Sequence, residues 1–286
     1  MVSLVKPHGA DELKPLYVAD EAARVALQHE AESLPSVGIS SAAAANAVMM
    51  GAGYFTPLSG YMNKADMLSV AENLTPANGL FWPVPIVNML QDVSAIAGAK
   101  RIALRDPNVD GQPVIAVMDV AAIEEASDAE LEAVAEKVFA TNDKQHPGVA
   151  NFLAAGNFIV SGDIQVLNYS YFADDFPDTF RTAVSIRNEF VERGWNNVVA
   201  FQTRNPMHRA HEELCRMAQE ALNADGILIH MLLGKLKKGD IPADVRDASI
   251  RKMVEVYFPP NTVMKRIYGF NLLYTSPSFL VLHAVF

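Results

Sequence analysis

The pattern of apolar and polar positions changes near residue 178. Beyond that point, short apolar runs alternate with longer segments in which apolar residues recur at helical spacing. Strands are predicted over Asn197–Gln202, Gly226–Leu233 and Thr262–Tyr268, and helices over Thr182–Arg193, His208–Leu222, Ala243–Phe258 and Pro277–Phe286. The run NVVAFQ of the first strand is apolar enough to predict burial on both faces. Strands that alternate with helices predict βαβ units and a parallel sheet with right-handed crossovers.

Residues before about 165 form shorter elements separated by turns. Helices are predicted over Ala19–Ser33, Ser40–Met50 and Ser127–Phe139. Two apolar runs, Lys100–Arg105 and Pro113–Met118, flank the turn sequence DPNVDG and predict a hairpin. The apolar run Phe81–Asn88 resembles a strand, but its two prolines lack N–H donors and would confine it to an edge or a bulge. The first part is therefore expected to be rich in β structure with short helices.

Charge is distributed unevenly along the chain. The formal net charge is −10, with 9 Lys/Arg and 20 Asp/Glu in residues 1–170 and 14 Lys/Arg and 13 Asp/Glu in residues 171–286. The acidic first part argues against nucleic-acid binding, which depends on cationic side chains that neutralise phosphates. The second part retains enough positive charge to receive a small anion.

The cysteine content and the apolar segments bear on the cellular compartment. A single cysteine, Cys215, excludes an internal disulfide framework and fits a reducing compartment. The uncharged stretch between Glu32 and Lys64 consists mainly of Ala, Ser and Gly, which are too small and polar for a membrane span. The first residues lack the apolar core of a secretory signal. We therefore expect a soluble, cytoplasmic protein that does not interact with membranes.

The most informative stretch is QTRNPMHRAH, residues 202–211. It leaves the end of a predicted parallel strand and opens a helix near Pro206. Ligands of open parallel sheets lie at the carboxyl ends of the strands, and a helix N-terminus favours phosphate or sulfate. The planar guanidinium of Arg204 can bind two oxygens of such an anion. The stretch is therefore a candidate anion site.

His208 and His211 are three residues apart, which places them on one face of the predicted helix. A second stripe, expected to face the sheet, consists of Leu214, Met217, Ala218 and Ala221. Taken singly, the histidines could mark an exposed helix face, and Arg204 could form a surface ion pair. A zinc site would need a third ligand at suitable spacing, and none is evident. Seven polar side chains within ten residues favour a binding site instead.

This chain resembles the ATP sulfurylase (sulfate adenylyltransferase) family in the stretch QTRNPMHRAHEEL, which combines a QxRN sulfate motif with an HxxH motif. Further similarity lies in GYFTPLSGYM, FWPVPI, FVERGWNNVVAFQTRNP and HMLLGKLKKGDIPADVR. The stretch 226–264 is most similar to forms from sulfur-oxidising and sulfate-respiring microbes. The resemblance implies an α/β protein with a β-rich PUA-like domain over residues 1–168. A partial Rossmann-like nucleotidyltransferase domain with a parallel sheet would follow over residues 169–286.

The resemblance also implies an activity, in which ATP and sulfate give adenylyl sulfate and pyrophosphate reversibly, by direct in-line attack of sulfate on the α-phosphorus. Gln202 and Arg204 would hold sulfate, while Thr203 and Asn205 would order the loop and touch the nucleotide phosphates. The histidines of the HxxH motif, His208 and His211, would contact the ATP phosphates. Mg²⁺ would arrive with the nucleotide or pyrophosphate rather than in a protein metal site. The protein is expected to form a homo-oligomer, in the simplest case a dimer.

A second basic loop, GKLKKGD over residues 234–240, follows the second predicted strand and opens at the same sheet edge. Lys235, Lys237 and Lys238 could attract pyrophosphate, or they could belong to a solvated connection. Asp240 and Arg246 could fix this loop to the next helix.

Two features depart from the family pattern. The segment TSPSFL, residues 275–280, places Ser278 and Phe279 where the family has Arg and Glu. The chain also stops at Phe286, inside a predicted helix, whereas the resemblance implies a further strand and a GRDHAG motif that contacts ATP. We therefore expect a truncated chain with little or no activity of its own. The alternatives are an HxxH adenylyltransferase for another acceptor, such as a phosphorylated vitamin precursor, and a non-catalytic binding or assembly module.

Overall fold

The computed structural model describes residues 4–232, 241–268 and 276–285. The chain divides into two compact units. The mixed-sheet unit comprises Pro7–Tyr171 and Leu272–Phe286, and the parallel-sheet unit comprises Met1–Lys6 and Phe172–Asn271. Among the described residues, no helix combines the length and the apolar character that crossing a lipid bilayer requires.

The mixed-sheet unit is built on a six-stranded sheet. Its strands are β1 (Ser36–Gly38), β2 (Gly60–Tyr61), β3 (Met89–Leu90), β4 (Arg101–Arg105), β5 (Val114–Glu125) and β6 (Phe158–Val166). They follow the order β1-β4-β5-β6-β2, with β3 also paired to β6. β1 and β4 are parallel and the other pairs are antiparallel. The predicted hairpin is confirmed as β4 and β5, and β5 extends seven residues beyond the predicted end at Met118.

Five helices belong to the first part of this unit: α1 (Glu21–Ser33), α2 (Ser41–Gly51), α3 (Lys64–Asn73), α4 (Asp128–Phe139) and α5 (Pro147–Ala154). The helices predicted as α1, α2 and α4 are confirmed. Side-chain caps explain where they begin, since Asp20 and Ser40 accept backbone N–H groups of the first turns of α1 and α2. Ser127 and Glu130 form a reciprocal capping box at the start of α4.

Gly162 in β6 shows how closely the central strands approach. Its φ is 151°, and a Cβ there would lie 2.0 Å from the carbonyl oxygen of Asp119 in β5. Only glycine tolerates both the backbone conformation and this approach. The irregularity in the pairing of β5 and β6 lies beside it, between Val120 and Ala122.

The prediction of a strand or edge strand over 81–88 is wrong. The structure describes this segment throughout, and it forms no strand. Pro83 and Pro85 lack the donors that a ladder needs, although Trp82, Val84 and Ile86 are buried. The segment fills the core as irregular chain.

The parallel-sheet unit has three described strands and four helices: β7 (Val198–Thr203), β8 (Gly226–Leu232), β9 (Val263–Tyr268), α6 (Phe172–Asp175), α7 (Ala183–Arg193), α8 (Arg209–Ala221) and α9 (Ala243–Tyr257). The strand order is β7-β8-β9 and both pairs are parallel, as predicted. α8 links β7 to β8, and α9 links β8 to β9. α7 ends at Gly194, which adopts the left-handed conformation with φ 72°.

Burial within this sheet differs from the prediction at β7. The central strand β8 is buried along its whole length, whereas β7 is mostly half-buried and has an exposed residue at Ala200. The expectation that β7 is buried on both faces is therefore wrong. β7 lies at the edge of the described sheet, so that only β8 has a neighbour on each side.

The orientation predicted for α8 is also wrong. Leu214 and Met217 are 52% and 58% exposed, and Ala221 is exposed as well, so the apolar stripe faces outward. The buried residues of this helix are Glu212 and Cys215. Periodicity shows which residues share a face, but a carboxylate with cationic partners can be the group that turns inward.

The last described helix, α10 (Pro277–Val285), confirms the helix predicted there. It groups with the mixed-sheet unit and packs against α4, where the rings of Phe279 and Phe139 stack with centroids 5.7 Å apart. Phe279, one of the residues that depart from the family pattern, thus packs against another aromatic ring. Thr275, at the start of that segment, lies outside the described residues.

Candidate active site

The end of β7 places the first two candidate residues. Gln202 and Thr203 are the last residues of β7 and lie in register with His230 and Met231 of β8. The chain then turns through a short polar loop before α8 begins at Arg209. Gln202 and Arg204 are half-buried, whereas Asn205 is exposed. The loop therefore presents polar side chains at the carboxyl edge of the parallel sheet, where ligands of such sheets bind.

Thr203 is buried and organises this loop. Its hydroxyl accepts a hydrogen bond from the backbone N–H of Asn205 at 3.1 Å and donates one to the backbone carbonyl of Asn205 at 3.0 Å. A hydroxyl has a single proton to donate, so its donor capacity is used within the loop. The geometry thus gives Thr203 an ordering role.

Arg246 of α9 contacts the same loop from a neighbouring element. Its Nη1 donates to the carbonyl of Arg204 at 2.8 Å and to the carbonyl of Leu232, the last residue of β8, at 3.0 Å. Arg246 was expected to fix the loop after β8 together with Asp240, which lies outside the described residues. The described contacts connect it instead to the loop after β7 and to the end of β8.

The two histidines lie side by side. Their ring centroids are 3.9 Å apart, and the ring of Phe201 lies 5.5 Å from that of His211. The backbone N–H of His208 donates to Nδ1 of His211 at 3.3 Å. Since Nδ1 accepts this bond, we assign the ring proton of His211 to Nε2.

The environment keeps His211 neutral. Burial, and to a lesser extent the neighbouring His208, lowers the pKa of His211 below its ordinary value. At neutral pH the imidazole therefore offers one N–H donor, at Nε2, to a ligand at the helix start. The backbone groups at the N-terminus of α8 add the positive end of the helix dipole.

The start of the helix differs from the prediction. The predicted span His208–Leu222 is confirmed, but the opening placed near Pro206 is wrong, because α8 begins at Arg209 and His208 is its N-cap residue with extended backbone angles. Pro206 precedes the cap by two residues. The histidines are neighbours because the cap backbone bonds to the ring three residues later, rather than because both lie within the helix.

Sequence reasoning did not identify Glu212 as part of this region. The side chain is 2% exposed, with ion pairs to Arg209 at 2.5 Å and Arg216 at 2.8 Å. The guanidinium of Arg209 also lies 4.2 Å from the ring centroid of Tyr257. The signal in the sequence was the i, i+3 and i, i+4 spacing of opposite charges on one helix. These contacts hold Arg209 along the flank of α8.

Two further predictions concern groups beyond this loop. Lys235, Lys237 and Lys238 lie outside the described residues. Among residues 4–232, 241–268 and 276–285, no group of three or more His, Cys, Asp or Glu side chains is placed to hold a metal ion. The described loop thus offers hydrogen-bond donors and positive potential for anions, and no set of metal ligands.

Comparisons with known proteins bear on what this site does. Residues 5–169 match the PUA-like domain family, and residues 177–286 match the ATP-sulfurylase family. The chain is 89% identical over 286 residues to the sulfate adenylyltransferase of Alcanivorax borkumensis, covering all of this chain and 71% of that protein. This chain belongs to the sulfate adenylyltransferase family.

Other members of the sulfate adenylyltransferase family are also similar. The protein from Allochromatium vinosum is 62% identical over 283 residues, and the alignment covers 99% of this chain and 71% of that protein. A solved structure, the hexameric APS kinase from Thiobacillus denitrificans, matches with a TM-score of 0.74 and 26% identity. That match covers 99% of this chain and 50% of the other.

Membership of the sulfate adenylyltransferase family confirms the fold class and the class of enzyme predicted from the sequence. The PUA-like part precedes the ATP-sulfurylase part, and the second contains the parallel sheet. The family is one of nucleotidyltransferases, and adenylyl transfer between ATP and sulfate is the activity that defines it.

Proposed function

We propose that residues 202–211 bind sulfate and the phosphates of ATP in line for adenylyl transfer. A sulfate oxygen attacks the α-phosphorus and an S–O–P linkage forms, while the bond from the α-phosphorus to the oxygen that bridges it to the β-phosphorus breaks and that oxygen leaves with pyrophosphate. No covalent intermediate with the protein is required. The observation that carries the proposal is the turn after β7, which Thr203 closes by bonding to both polar backbone groups of Asn205, followed by two adjoining imidazoles at the start of α8.

Sulfate would be held by Gln202 and Arg204. A guanidinium directs two N–H groups at two oxygens of a tetrahedral anion, and the Gln202 amide adds a third donor. Sulfate is a poor nucleophile, so its position relative to phosphorus determines how often attack succeeds. Thr203 would act by holding the loop in shape, and Asn205 by ordering the loop and contacting the nucleotide phosphates.

The nucleotide phosphates would lie against His208 and His211. The Nε2–H of His211 can donate to a phosphate oxygen without adding a full charge, and the N-terminus of α8 favours the charge that develops on the transferring group. Phosphoryl-type transfer depends chiefly on such positioning and electrostatic stabilisation. Both histidines act as fixed donors in this proposal, and neither is a nucleophile.

Metal and further phosphate contacts involve groups beyond the loop after β7. The described residues do not fit a protein metal site. We propose that Mg²⁺ is bound mainly by the phosphates of ATP or pyrophosphate, as the ion prefers. Lys235, Lys237 and Lys238 follow β8 in the chain, and we propose that they attract pyrophosphate.

The organisation of the whole protein is also proposed. The matched ranges, residues 5–169 and 177–286, support domains over residues 1–168 and 169–286. The hexameric relative supports self-association, for which a dimer is the smallest form, and light scattering of the purified protein would measure its mass. We further propose a cytoplasmic location, in keeping with the single, buried Cys215.

The proposal is tested by measuring ATP formation from adenylyl sulfate and pyrophosphate on the purified chain. Whatever its rate, turnover should depend on both substrates and should be inhibited by sulfate, which competes for the same small tetrahedral pocket. A molybdate titration provides a second tetrahedral dianion. If calorimetry detects binding of ATP but of neither sulfate nor molybdate, the acceptor is another anion. If calorimetry detects no binding of ATP or sulfate, residues 202–211 do not form the site.

A further inference from the structure

We infer that Arg246 is a positioning residue that holds the sulfate loop in its binding conformation. The inference rests on the proposed function, because it assigns to Arg246 the orientation of residues proposed to bind sulfate. We assign Arg246 no contact with the reacting atoms, because its Nη1 donates to two backbone carbonyls.

The location of Arg246 makes it a link between three elements. It is the fourth residue of α9, 4% exposed, and its own backbone N–H donates to Pro242 at 3.0 Å. Its Nη1 bonds to the carbonyl of Leu232, at the end of β8, and to that of Arg204, in the loop after β7. The start of α9 is thereby connected to the ends of two neighbouring strands.

The hydrogen bond from Arg246 to Arg204 holds one side of the peptide group between Arg204 and Asn205, and a second hydrogen bond holds its other side. The carbonyl of Arg204 and the N–H of Asn205 belong to the same planar peptide group. Arg246 binds the carbonyl at 2.8 Å, and the Thr203 hydroxyl binds the N–H at 3.1 Å. Both polar atoms of this peptide are therefore fixed, and with them the direction in which the Arg204 side chain leaves the backbone.

This arrangement predicts a particular functional defect when Arg246 is lost. Rotation of the peptide between Arg204 and Asn205 would move the Arg204 guanidinium away from the sulfate oxygens, while α8 and its two histidines keep their own contacts. A displacement of about 1 Å at a positioning group can reduce rates by about 100-fold. The defect should therefore appear mainly as a higher KM for sulfate.

The chain offers a matched control on the same helix. Arg251 lies five residues further along α9 and bonds to the Asp247 carboxylate at 2.8 Å, and its side chain is 54% exposed. Arg251→Gln removes the same charge from α9. The described hydrogen bonds and ion pairs of Arg251 involve no residue of the 202–211 stretch.

The kinetic test compares Arg246→Gln, Arg246→Lys and Arg251→Gln with the unaltered protein, titrating sulfate and ATP separately. We expect Arg246→Gln to raise the KM for sulfate about tenfold or more and to leave the KM for ATP within about twofold. Arg246→Lys, which keeps a cationic donor, should recover part of the loss, and Arg251→Gln should match the unaltered protein. A uniform fall in kcat with both KM values unchanged would show a merely structural role and overturn the inference.

A second measurement does not depend on activity. Amide hydrogen exchange of the peptide covering Gln202–His211 should be several-fold faster in Arg246→Gln and unchanged in Arg251→Gln. Equal exchange in Arg246→Gln and the unaltered protein would overturn the inference. If the unaltered protein shows no response to sulfate, the proposed function fails, and the exchange result still decides whether Arg246 holds the loop. If Arg246→Gln does not fold, Arg246→Lys is used for both measurements.

Discussion

The two units of the chain treat buried charge differently. In the described part of the mixed-sheet unit, Asp106 and His283 are the buried side chains among Asp, Glu, Lys, Arg and His. Burial lowers the pKa of His283 to about 4, so that its imidazole is neutral. The described part of the parallel-sheet unit buries four charged side chains, namely Glu212, Arg246, Asp247 and Lys265. An apolar core is the less costly solution, because a charge removed from water must be compensated by partners.

The difference in buried charge separates a unit stabilised mainly by apolar packing from one that positions a loop with hydrogen bonds and ion pairs. The largest fully buried side chains of the mixed-sheet unit include Trp82, Phe55 and Met49, which contribute to stability by packing. In the parallel-sheet unit, buried charges hold backbone and side chains in place around the loop after β7. Arg246 binds two strand-end carbonyls, and Glu212 restrains Arg209. Precise placement of a loop requires directional bonds, which apolar packing does not supply.

The largest expected effect tests whether the chemistry resides in the parallel-sheet unit. Arg204→Ala should lower kcat/KM for sulfate by about 100-fold or more, since it removes a charged donor from the transferring groups. Pyrophosphate release at several sulfate concentrations measures this. Arg193→Ala is the control, because that exposed guanidinium lies over the Trp195 ring at 5.0 Å. A normal sulfate dependence in Arg204→Ala would disprove the assignment of the loop.

The next prediction compares buried and exposed ion pairs. Burial alone would raise the pKa of Asp247, but hydrogen bonds from Lys265 and Arg251 outweigh it and keep the pKa below its ordinary value. Asp247→Asn leaves the Lys265 ammonium, 7% exposed, without its carboxylate, and should cost about 3 kcal/mol of unfolding free energy. Glu72→Gln breaks an exposed pair with Lys137 at 2.8 Å and should cost less than about 0.5 kcal/mol.

The two tryptophans allow each unit to be followed separately in urea. Trp195 is buried in the parallel-sheet unit and Trp82 in the mixed-sheet unit. Asp247→Asn is therefore measured in a Trp82→Phe background, and Glu72→Gln in a Trp195→Phe background. Equal losses for the two substitutions would contradict the view that the units differ in how they use charge.

A smaller effect is expected at Thr203. Thr203→Val keeps the shape of the side chain but removes the hydroxyl that bonds to the N–H and carbonyl of Asn205. Loss of these hydrogen bonds should destabilise the ordered loop conformation by about 1–2 kcal/mol, which would lower kcat/KM about tenfold. Thr203→Ser retains the hydroxyl and should stay within about threefold of the unaltered protein. Equal activities for the Val and Ser variants would show that the hydroxyl is not needed.

The smallest effect concerns the titration of His211. NMR should place its pKa below the ordinary 6.5, and His208→Gln should raise it only in part, because burial is the larger cause. The folded protein binds this proton less readily than the unfolded chain does. The associated stability is thus present above pH 6.5 and is lost as the pH falls through the folded pKa. A pKa above 6.5 in either protein would refute the neutral donor assigned to His211.

Several elements could be predicted because their signals are local. The capping box of Ser127 and Glu130 marks the start of α4, and Gly194 marks the end of α7. Helices alternating with apolar runs predicted the parallel sheet. The opening placed near Pro206 is wrong because proline is a favourable first helical residue, whereas His208, the actual cap, is not among the residues that usually cap helices.

Other features had no local signal. The charge spacing around Glu212 was visible in the sequence, but it did not show that Glu212 would be buried while Leu214 and Met217 are exposed. The contact between Arg246 and the Arg204 carbonyl joins residues 42 positions apart. Both features depend on which surface of a helix or strand packs against its neighbour. The periodicity of apolar residues does not determine that surface.

By itself, the sequence determined the order of strands and helices in the parallel-sheet unit, the family, and the ten-residue stretch in which the polar groups proposed to bind anions are concentrated. These depend on short-range spacing, and spacing is a property of the chain alone. Tertiary structure decided which face of α8 is buried, which histidine caps the helix, and how Arg246 and Thr203 hold one peptide from opposite sides. The buried face of α8 depends on which of its surfaces meets the rest of the fold, and the bond from Arg246 to the Arg204 carbonyl joins residues 42 positions apart. Spacing along the chain gives neither, because each buried polar group finds its partner only in the folded structure.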